Sequence, residues 1–488
     1  AKTESLPLVY SPDGNLLLFT ALDNVQLLNL STKKIEVFEK ANPLATGFSL
    51  TGAFFFYASK AEKDKFILNV HSTQTLELVF SVECGKFKRD IWPYLQFTSD
   101  DSLCLYQTSG AVIQIREPLE KFKESAEVKF DHNIDMYKLS ESKDSPILAT
   151  MSLEKFVGFN KTEAKLEIYL LPEVSKPLFS KIIPKAQEVK FLFPSTGSTL
   201  LIWTQTIHDD TSKSYYGEHQ LFYFDAATSK FKMVPTYEGP IHDVAWSPDG
   251  NNFTVISGFM PGGSVLFDKE CVPKFEFGKH HRNTIRYSPF SRFICLGGFG
   301  NLAGDIEVWD LTTLTKIGQF KSNAAVYCGW SPDGRKIMTA VLNPRLRVDN
   351  NYKTFKYNGL IINSVDYSHS ELYEVAWRPG KYEDRPASPN ALKIAQQLQE
   401  AEDKKPKRIF QPKGSGMLSE MLKKDKGQTS GGRVLEPNET FGNAKLEAEL
   451  EKEKELAAEE DKKKKKRTRK KKEKGNTDGA DEESKHDQ

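Results

Sequence analysis

The chain has 488 residues, of which 39% are hydrophobic and 27% charged, and its formal net charge at pH 7 is +2. This length allows two or three ordinary domains. No apolar run approaches the ~20 residues that span a bilayer and no secretory leader is visible, so the sequence predicts no membrane-spanning segment. The five cysteines are odd in number and form no Cys-x-x-Cys pair, which favours a reducing compartment.

Charge and aromatic residues divide the chain near residue 382. Residues 381–488 contain 27 Lys and Arg against 23 Asp and Glu, whereas the preceding residues contain 41 against 43. All six Trp lie at or before Trp377. A segment this poor in apolar side chains cannot offset its chain entropy by burial. We therefore predict a folded domain over residues 1–382 and a mostly disordered, charged, low-complexity tail with short helices over residues 383–488.

A four-residue turn, Ser-Pro-Asp-Gly, recurs three times along the predicted domain. Pro presets one backbone angle, Asp accepts local hydrogen bonds and Gly adopts a positive φ, so the motif is predicted to be structural. Degenerate copies bring the number of turns to nine, 38 to 54 residues apart. Several short strands at this period predict an all-β, WD-repeat-like propeller with one blade per repeat. The turns lie at residues 11–14, 49–52, 98–101, 140–144, 193–197, 247–250, 288–291, 331–334 and 378–380.

The strand pattern is clearest between residues 239 and 357, where three units repeat the order strand, turn, strand, loop, strand. An inner strand at residues 372–377 begins a ninth unit. Because the chain starts at Ala and enters a blade almost at once, we expect a trimmed N-terminus, and residues 1–5 or residues before them would close the ring. Nine blades are therefore favoured. Seven or eight also fit, since the units between Trp92 and Lys185 are weakly marked.

Four loops, at residues 208–219, 260–264, 300–305 and 343–351, join the second and third strands of consecutive units. The first and last are longer than a hairpin needs, and loops on a rigid scaffold often carry binding sites. They predict one functional rim spanning blades five to eight. The alternative is that these loops only pack on their neighbours, with an arginine paired to a carboxylate of the next blade. The candidate interaction residues are Tyr215, Tyr216, Glu218, Asn301, Arg345, Arg347 and Asp349.

The tail contains a basic run at residues 462–472, broken only by Thr468. Such a run attracts a polyanion by releasing counterions, without reading base sequence. The alternative is a solubilising or nuclear-import segment. Two further stretches, at residues 388–398 and 416–422, have apolar residues at helical spacing and are candidates for docking onto a partner or onto the propeller. The candidate RNA-binding residues are Lys462, Lys463, Lys464, Lys465, Lys466, Arg467, Arg469, Lys470, Lys471 and Lys472.

The sequence contains no P-loop, no His-Glu-x-x-His and no Gly-x-Ser-x-Gly pattern. Residues 298–304 resemble a dinucleotide-binding fingerprint, but they lie between two predicted strands rather than before a helix. His280 and His281 have no further ligand at useful spacing. We therefore predict no enzyme activity, no catalytic residue, no cofactor and no metal.

Four motifs of the second half together resemble the eukaryotic translation initiation factor 2A family. They are Ser-Tyr-Tyr-Gly-Glu at 214–218, Gly-Phe-Met-Pro at 258–261, Gly-Phe-Gly-Asn-Leu at 298–302 and Pro-Arg-Leu-Arg-Val-Asp-Asn at 344–350. The likeness covers residues 8–380 and is densest from 190 to 360. The b subunit of initiation factor 3 is a related nine-bladed propeller with an RNA-recognition domain in front, which this sequence lacks.

The resemblance implies a cytoplasmic, non-enzymatic factor that binds the small ribosomal subunit, mRNA and initiator methionyl-tRNA without GTP. It places RNA contacts in the tail as a region, and the tail helices could bind other initiation factors. The alternative function is a protein scaffold, in which the propeller assembles a complex and the basic run aids only solubility or nuclear entry.

Overall fold

The computed structural model describes residues 8–384 together with the backbone of Arg433–Val434. Within the first range, Leu22, residues 39–41, 63–64, 158–159, 207–216, 344, 347 and 368–369 are excluded. The described residues form eight antiparallel blades in chain order, seven of four strands and one extended to five, so the predicted propeller fold is confirmed. In this part of the chain, no helix has the length and apolarity needed to cross a bilayer. The expectations for residues 1–7 and most of the tail lie outside the described residues.

The first four blades follow one another along the chain, and the four main strands of each blade pair in order. Blade 4 contains an additional hairpin between its second and third strands. There are also two short 3-10 helices: Arg89–Ile91 lies in the connection from blade 2 to blade 3, and Pro118–Glu120 lies between the third and fourth strands of blade 3. Blade 1 consists of β1 (Val9–Tyr10), β2 (Leu16–Ala21), β3 (Asn24–Asn29) and β4 (Ile35–Phe38). Blade 2 consists of β5 (Pro43–Phe48), β6 (Phe54–Lys60), β7 (Lys65–Ser72) and β8 (Leu78–Lys86). Blade 3 consists of β9 (Gln96–Phe97), β10 (Cys104–Ser109), β11 (Val112–Glu117) and β12 (Lys123–Lys129). Blade 4 consists of β13 (Met136–Leu139), β14 (Ile147–Ser152), the hairpin β15 (Lys155–Val157) and β16 (Asn160–Thr162), then β17 (Lys165–Leu170) and β18 (Phe179–Ile182).

The last four blades repeat this order, and a short tail strand joins the outer edge of blade 6. Blade 5 consists of β19 (Glu188–Leu192), β20 (Thr199–Gln205), β21 (His219–Asp225) and β22 (Lys230–Met233). Blade 6 consists of β23 (Ile241–Trp246), β24 (Asn252–Ser257), β25 (Gly262–Asp268) and β26 (Pro273–His280). Blade 7 consists of β27 (Thr284–Tyr287), β28 (Phe293–Gly297), β29 (Asp305–Asp310) and β30 (Thr315–Lys321). Blade 8 consists of β31 (Tyr327–Trp330), β32 (Lys336–Val341), β33 (Asn351–Lys356) and β34 (Ile361–Asp366), and the tail strand is β35 (Arg433–Val434).

The hydrophobic core lies between neighbouring blades. Side chains alternate across each strand, so the second strand of a blade sends apolar groups to both of its neighbours. In β20, Leu200 and Ile202 pack towards blade 4, whereas Leu201 and Trp203 pack towards blade 6. Described clusters of this kind join every successive pair from blades 1 and 2 to blades 7 and 8. Each blade therefore depends on its neighbours for burial of both faces.

The Ser-Pro-Asp-Gly turns have the structural role that their sequence predicts. Gly14, Gly250 and Gly334 have φ values of +71°, +69° and +65°, and each donates its N–H to the carbonyl of the serine three residues earlier, at 2.8 to 2.9 Å. The turns also touch the next blade: Ser195 Oγ donates to the carbonyl of Pro248 at 2.6 Å. A chain of turns thus runs along one end of the blades.

The predicted count of nine blades is wrong for the described residues, which form eight. Residues 372–377 were predicted to be a ninth inner strand, but no described strand lies beside them to complete a ladder. They nevertheless occupy the place of an inner strand. Trp377 donates its indole N–H to the carbonyl of Gly329 at 3.1 Å, as Trp246 and Trp330 do to residues one blade earlier. A single segment therefore fills the position between blades 8 and 1.

The turn at residues 378–380 joins this segment to blade 1. Arg378 donates from Nε to the carbonyl of Gly14 at 2.7 Å, and Glu374 accepts a hydrogen bond from the N–H of Leu8 at 3.0 Å. A Cβ atom on Gly14 would lie 2.2 Å from the carbonyl oxygen of Pro379. The closure of the ring therefore requires a glycine at position 14.

We expect Gly14→Ala to destabilise the fold more than Gly334→Ala, which introduces backbone strain without a clash with a backbone atom. Gly334→Ala meets the same positive φ but only side-chain atoms, the nearest at 3.1 Å, and should cost about 1–2 kcal/mol. Gly14→Ala should cost about 1–3 kcal/mol more, because it overpacks against a backbone carbonyl. Urea unfolding measures both, with Gly85→Ala as the control because its Cβ would meet nothing within 4 Å. Equal costs at positions 14 and 334 would contradict the described closure.

Candidate interaction surface

The loops between second and third strands all emerge at one end of the blades. In an up-and-down sheet, successive connections alternate between the two ends, so these loops share an end with the connections between blades. In blade 7, Gly300 donates its N–H to the carbonyl of Ala325 at 3.2 Å, and Ser322 donates to Gly304 at 2.8 Å. We call this end the loop face, and the end with the Ser-Pro-Asp-Gly turns the turn face. The long loops of blades 5 and 8 leave the propeller on the same face.

The loops of blades 7 and 8 touch through two of the predicted residues. The guanidinium of Arg345 donates a hydrogen bond to Oδ1 of Asn301. It also lies over Gly300, where a Cβ atom would come within 3.8 Å of it. Arg345 is nevertheless exposed. The alternative interpretation paired an arginine with a carboxylate across blades, whereas the structure places an amide beside Arg345, so its positive charge is not neutralised by Asn301.

Buried asparagines, which were not predicted from the sequence, anchor the loop of blade 8. Asn350 is 2% exposed; its Nδ2 donates to the carbonyl of Leu346 at 2.7 Å and its Oδ1 accepts from the N–H of Leu372 at 3.1 Å. Asn343 donates its backbone N–H to the carbonyl of Leu372 at 2.8 Å. Between them, the predicted residue Asp349 is exposed with a φ of +56°. We call residues 372–377 the closing segment; through Leu372 it holds this loop in place. Arg347 lies outside the described residues.

In blade 5, the structure places Glu218 at the end of the loop. Its carboxylate forms an ion pair with Lys185 of the preceding connection, at 3.0 Å, and its N–H donates to Oγ1 of Thr206 at 2.7 Å. Gly217 before it has a φ of +69°, and a Cβ there would lie 2.1 Å from the carbonyl oxygen of Thr206. The two tyrosines predicted for this loop, Tyr215 and Tyr216, lie outside the described residues.

The loop of blade 6 is shorter than predicted, because β25 already begins at Gly262 rather than at residue 265. The ring of Tyr237 lies against Gly263, where a Cβ would come within 2.0 Å of it, so this position of the strand requires a glycine. The loop leaves Phe259 55% exposed. Phe259 belongs to the Gly-Phe-Met-Pro motif, but it was not predicted as a contact residue.

Blade 4 adds a hairpin that was not predicted from the sequence. β15 and β16 pair in register, with Lys155 opposite Thr162, and they leave from the loop face. Glu154 accepts a hydrogen bond from the N–H of Lys185 at 2.9 Å and donates its own N–H to Ala186 at 2.8 Å. Apolar residues on both sides of Gly158 were the available sequence signal. The candidate surface therefore extends from blade 4 to blade 8.

A recess of about 250 Å³ lies at the loop end between blades 6 and 7. Its walls include Arg282, which is 2% exposed and pairs with the carboxylate of Glu307. Lys316 and His280 approach the same carboxylate at 3.6 and 3.7 Å. Among the residues that the structure describes, no group of three or more His, Cys, Asp or Glu side chains could hold a metal ion. The remaining lining residues are His281, Leu296, Asp305 and Gln319.

Burial by itself raises the pKa of Glu307, but the charges of Arg282 and Lys316 outweigh it and hold the pKa of this carboxyl below its usual value. Glu307 is therefore ionised at neutral pH. A depressed pKa in the folded state contributes stability above the pKa of the unfolded chain, and this contribution is lost as the pH falls through the folded value. The cluster thus supports the joint between blades 6 and 7 through its ion pairs, while the buried Nε of Arg282 has no hydrogen-bond partner among the described residues.

We expect Glu307→Gln to destabilise the fold by about 3–5 kcal/mol at pH 7, because it leaves the buried guanidinium of Arg282 without its counter-charge. The difference from the unchanged chain should shrink as the pH falls below about 4. Urea unfolding across this pH range measures it. Glu218→Gln is the matched control, since it removes the half-exposed pair with Lys185 and should cost at most about 1 kcal/mol. A Glu307→Gln cost no larger than the control would show that the buried pair does not stabilise the joint.

Comparison with known proteins identifies the family. Residues 181–375 match the family described as Eukaryotic translation initiation factor eIF2A. Eukaryotic translation initiation factor 2A of Dictyostelium discoideum is 32% identical over 383 residues, which cover 76% of this chain and 60% of that protein. The protein of the same name from Schizosaccharomyces pombe is 31% identical over 404 residues, covering 79% and 66%. The chain thus spans less than two thirds of the length of these two relatives.

Solved structures agree with the sequence relatives. A crystal structure of a eukaryotic initiation factor superposes with a TM-score of 0.67 at 28% identity, and the match covers 78% of this chain and 93% of the other. A weaker likeness, 29% over 167 residues, links the chain to the b subunit of eukaryotic translation initiation factor 3 from Xenopus laevis, covering 32% of this chain and 24% of that protein. Sequence and fold agree, and the chain belongs to the eukaryotic translation initiation factor 2A family.

Proposed function

We propose that this chain is a non-enzymatic, cytoplasmic translation initiation factor that binds the small ribosomal subunit and initiator methionyl-tRNA without GTP, and that also contacts mRNA. The observation that carries the proposal is the family match over residues 181–375. This range takes in blades 5–8 and hence most of the candidate surface on the loop face.

The propeller serves as the docking platform in this proposal. Hydrogen bonds hold its loops: Arg345 binds Asn301 across two blades, and Asn350 binds the closing segment. Phe259 offers an exposed ring on the same face. Exposed aromatic rings stack on unpaired bases, and guanidinium groups bind phosphates or stack on bases. The loop face therefore combines the two side-chain types that recognise single-stranded or looped RNA.

The basic run at residues 462–472 supplies affinity, because lysine and arginine release the counterions condensed on phosphates. Such contacts do not distinguish one RNA sequence from another. Selection of initiator tRNA must then come from the loop face or from the ribosome. Other initiation factors could be bound by the tail stretches at residues 388–398 and 416–422. Both stretches and the basic run lie outside the described residues.

A second function, that of a protein-assembly scaffold, is favoured by the pairing observed within the loop face. Glu218 is paired with Lys185, and residues before the tail carry 41 Lys and Arg against 43 Asp and Glu. A domain without excess positive charge also suits protein partners. In this alternative the propeller contacts proteins, and the tail does not contribute to RNA binding.

Deleting residues 462–472 should weaken binding to single-stranded RNA and flatten its salt dependence by about 0.7 in log–log slope for each lost phosphate contact. The cause is the loss of ten cationic side chains. Fluorescence anisotropy at several salt concentrations measures the slope. Deleting residues 474–484 is the control of equal length, since it removes one lysine and several acidic residues. An unchanged slope after the first deletion would exclude the basic run from RNA binding and favour the scaffold.

Replacing Arg345 and Arg347 by Ala should reduce co-sedimentation with purified small ribosomal subunits by roughly tenfold, if together they contribute about 1.4 kcal/mol. The thermal midpoint should stay unchanged, because Arg345 is exposed. The matched control removes the same charge from the turn face through Lys176→Ala and Lys269→Ala, both at exposed positions. Equal effects of the two double variants would show that charge alone, and not the loop face, drives binding. An earlier unfolding of the arginine variant would make these residues structural.

A further inference from the structure

The outer edge of blade 6 differs from the outer edges of most other blades. Its outer strand β26 has four consecutive buried residues, including Phe275 at 3% exposure, Glu276 at 9% and Phe277 at 1%. The outer strands of blades 1–5 and 8 have at most one buried residue each. Among the described residues, β26 is also the one outer strand that pairs with a fifth strand.

Both faces of β26 are occupied by the propeller itself. The rings of Phe275 and Phe277 pack against Trp309 of blade 7, with centroids 5.8 and 5.3 Å apart. On the opposite face, the hydroxyl of Tyr237 donates to the carboxylate of Glu276. The strand is thus held rigidly, and only its backbone edge is available for pairing. An ordered strand with an unpaired edge is a template for strand addition.

The strand that occupies this edge comes from the chain's own tail. β35 pairs antiparallel with β26, with Val434 opposite Phe275 and Arg433 opposite Glu276. The tail sequence suits a short added strand. Two glycines at residues 431–432 precede it, and Pro437 follows it. Because proline has no N–H to donate, the ladder cannot continue past this position.

We infer that residues Arg433–Val434 dock on blade 6 as a fifth strand and anchor the tail at the side of the propeller. The occupant of this edge is the chain's own segment, not a second copy or another protein. The docked strand also covers an edge at which two propellers could otherwise pair and associate. This inference does not depend on the proposed role in translation.

The pairing predicts which backbone amides it protects. Neighbouring residues of a strand direct their N–H groups to opposite sides. Since Phe275 and Glu276 also lie opposite Leu266 and Val265 of β25, one of their two amides faces β25 and the other faces β35. Hydrogen exchange of that second amide is slow only while the tail strand is docked.

The test is hydrogen exchange of the full chain resolved to single residues. The double variant Arg433→Pro, Val434→Pro should raise the exchange rate of one of the two amides by about tenfold or more, because proline cannot complete the ladder. Arg433→Ala with Val434→Ala keeps both N–H groups and should change the rate far less. Gln428→Pro with Thr429→Pro places the same residues just outside the strand and serves as the control. Identical exchange in the proline variant and this control would overturn the inference.

A second measurement uses the unmodified chain, so it does not depend on the folding of any variant. Trypsin cleaves after Arg433 and after Lys424, and a synthetic peptide of residues 420–440 sets the intrinsic ratio of the two rates. In the full chain, cleavage after Arg433 should be slowed about tenfold relative to cleavage after Lys424, since a paired strand must open before it is cut. An unchanged ratio would contradict docking. Protection that disappears on dilution would assign the strand to a second copy and also contradict it.

Discussion

The structure depends on burial between neighbouring blades. Each second strand sends side chains to both sides, as Leu200 and Leu201 of β20 do, so a blade cannot bury its apolar surface alone. Fully burying one such side chain is worth about 1.5–3 kcal/mol, and clusters of this kind lie between every successive pair of the eight described blades. The same packing fixes the rotation from one blade to the next, and it thereby decides which loops lie side by side.

Between blades 8 and 1, the closing segment takes the place of a complete blade. Trp377 repeats the hydrogen bond that Trp246 and Trp330 make one blade back, and Arg378 reaches Gly14 of blade 1. The segment also carries Leu372, whose backbone binds both asparagines of the blade 8 loop. Ring closure and loop geometry are therefore coupled, and a change in the closing segment should alter the conformation of the blade 8 loop on the loop face.

Much of this fold could be predicted from the sequence, because the turn motif is local and repeats. Pro, Asp and Gly specify the turn by their own backbone preferences, and the strands between turns follow from alternating apolar residues. The blade count could not be obtained in this way, since residues 372–377 have the pattern of an inner strand but lack described partners. The hairpin β15–β16 was missed because its strands are only three residues long.

The placement of the loops on one face was predictable from the sequence, but their contacts were not. Equivalent places in repeated units identified the loops, and topology puts them on one face. The amide partner of Arg345, the buried Asn350 and the ion pair of Arg282 with Glu307 join residues distant in sequence, so no local pattern reveals them. The contacts of Arg345 and Asn350 hold the loops of blades 7 and 8, which favours a preformed surface over one that orders on binding.

We propose that the loop face, rather than the turn face, binds the small ribosomal subunit. Site-specific photo-crosslinking on purified small subunits tests it, with the crosslinker placed either at Asp349 on the loop face or at Lys269 on the turn face, both exposed. We expect crosslinks to ribosomal RNA or bound tRNA from position 349 and none from position 269. Crosslinks from position 269 alone would contradict the claim.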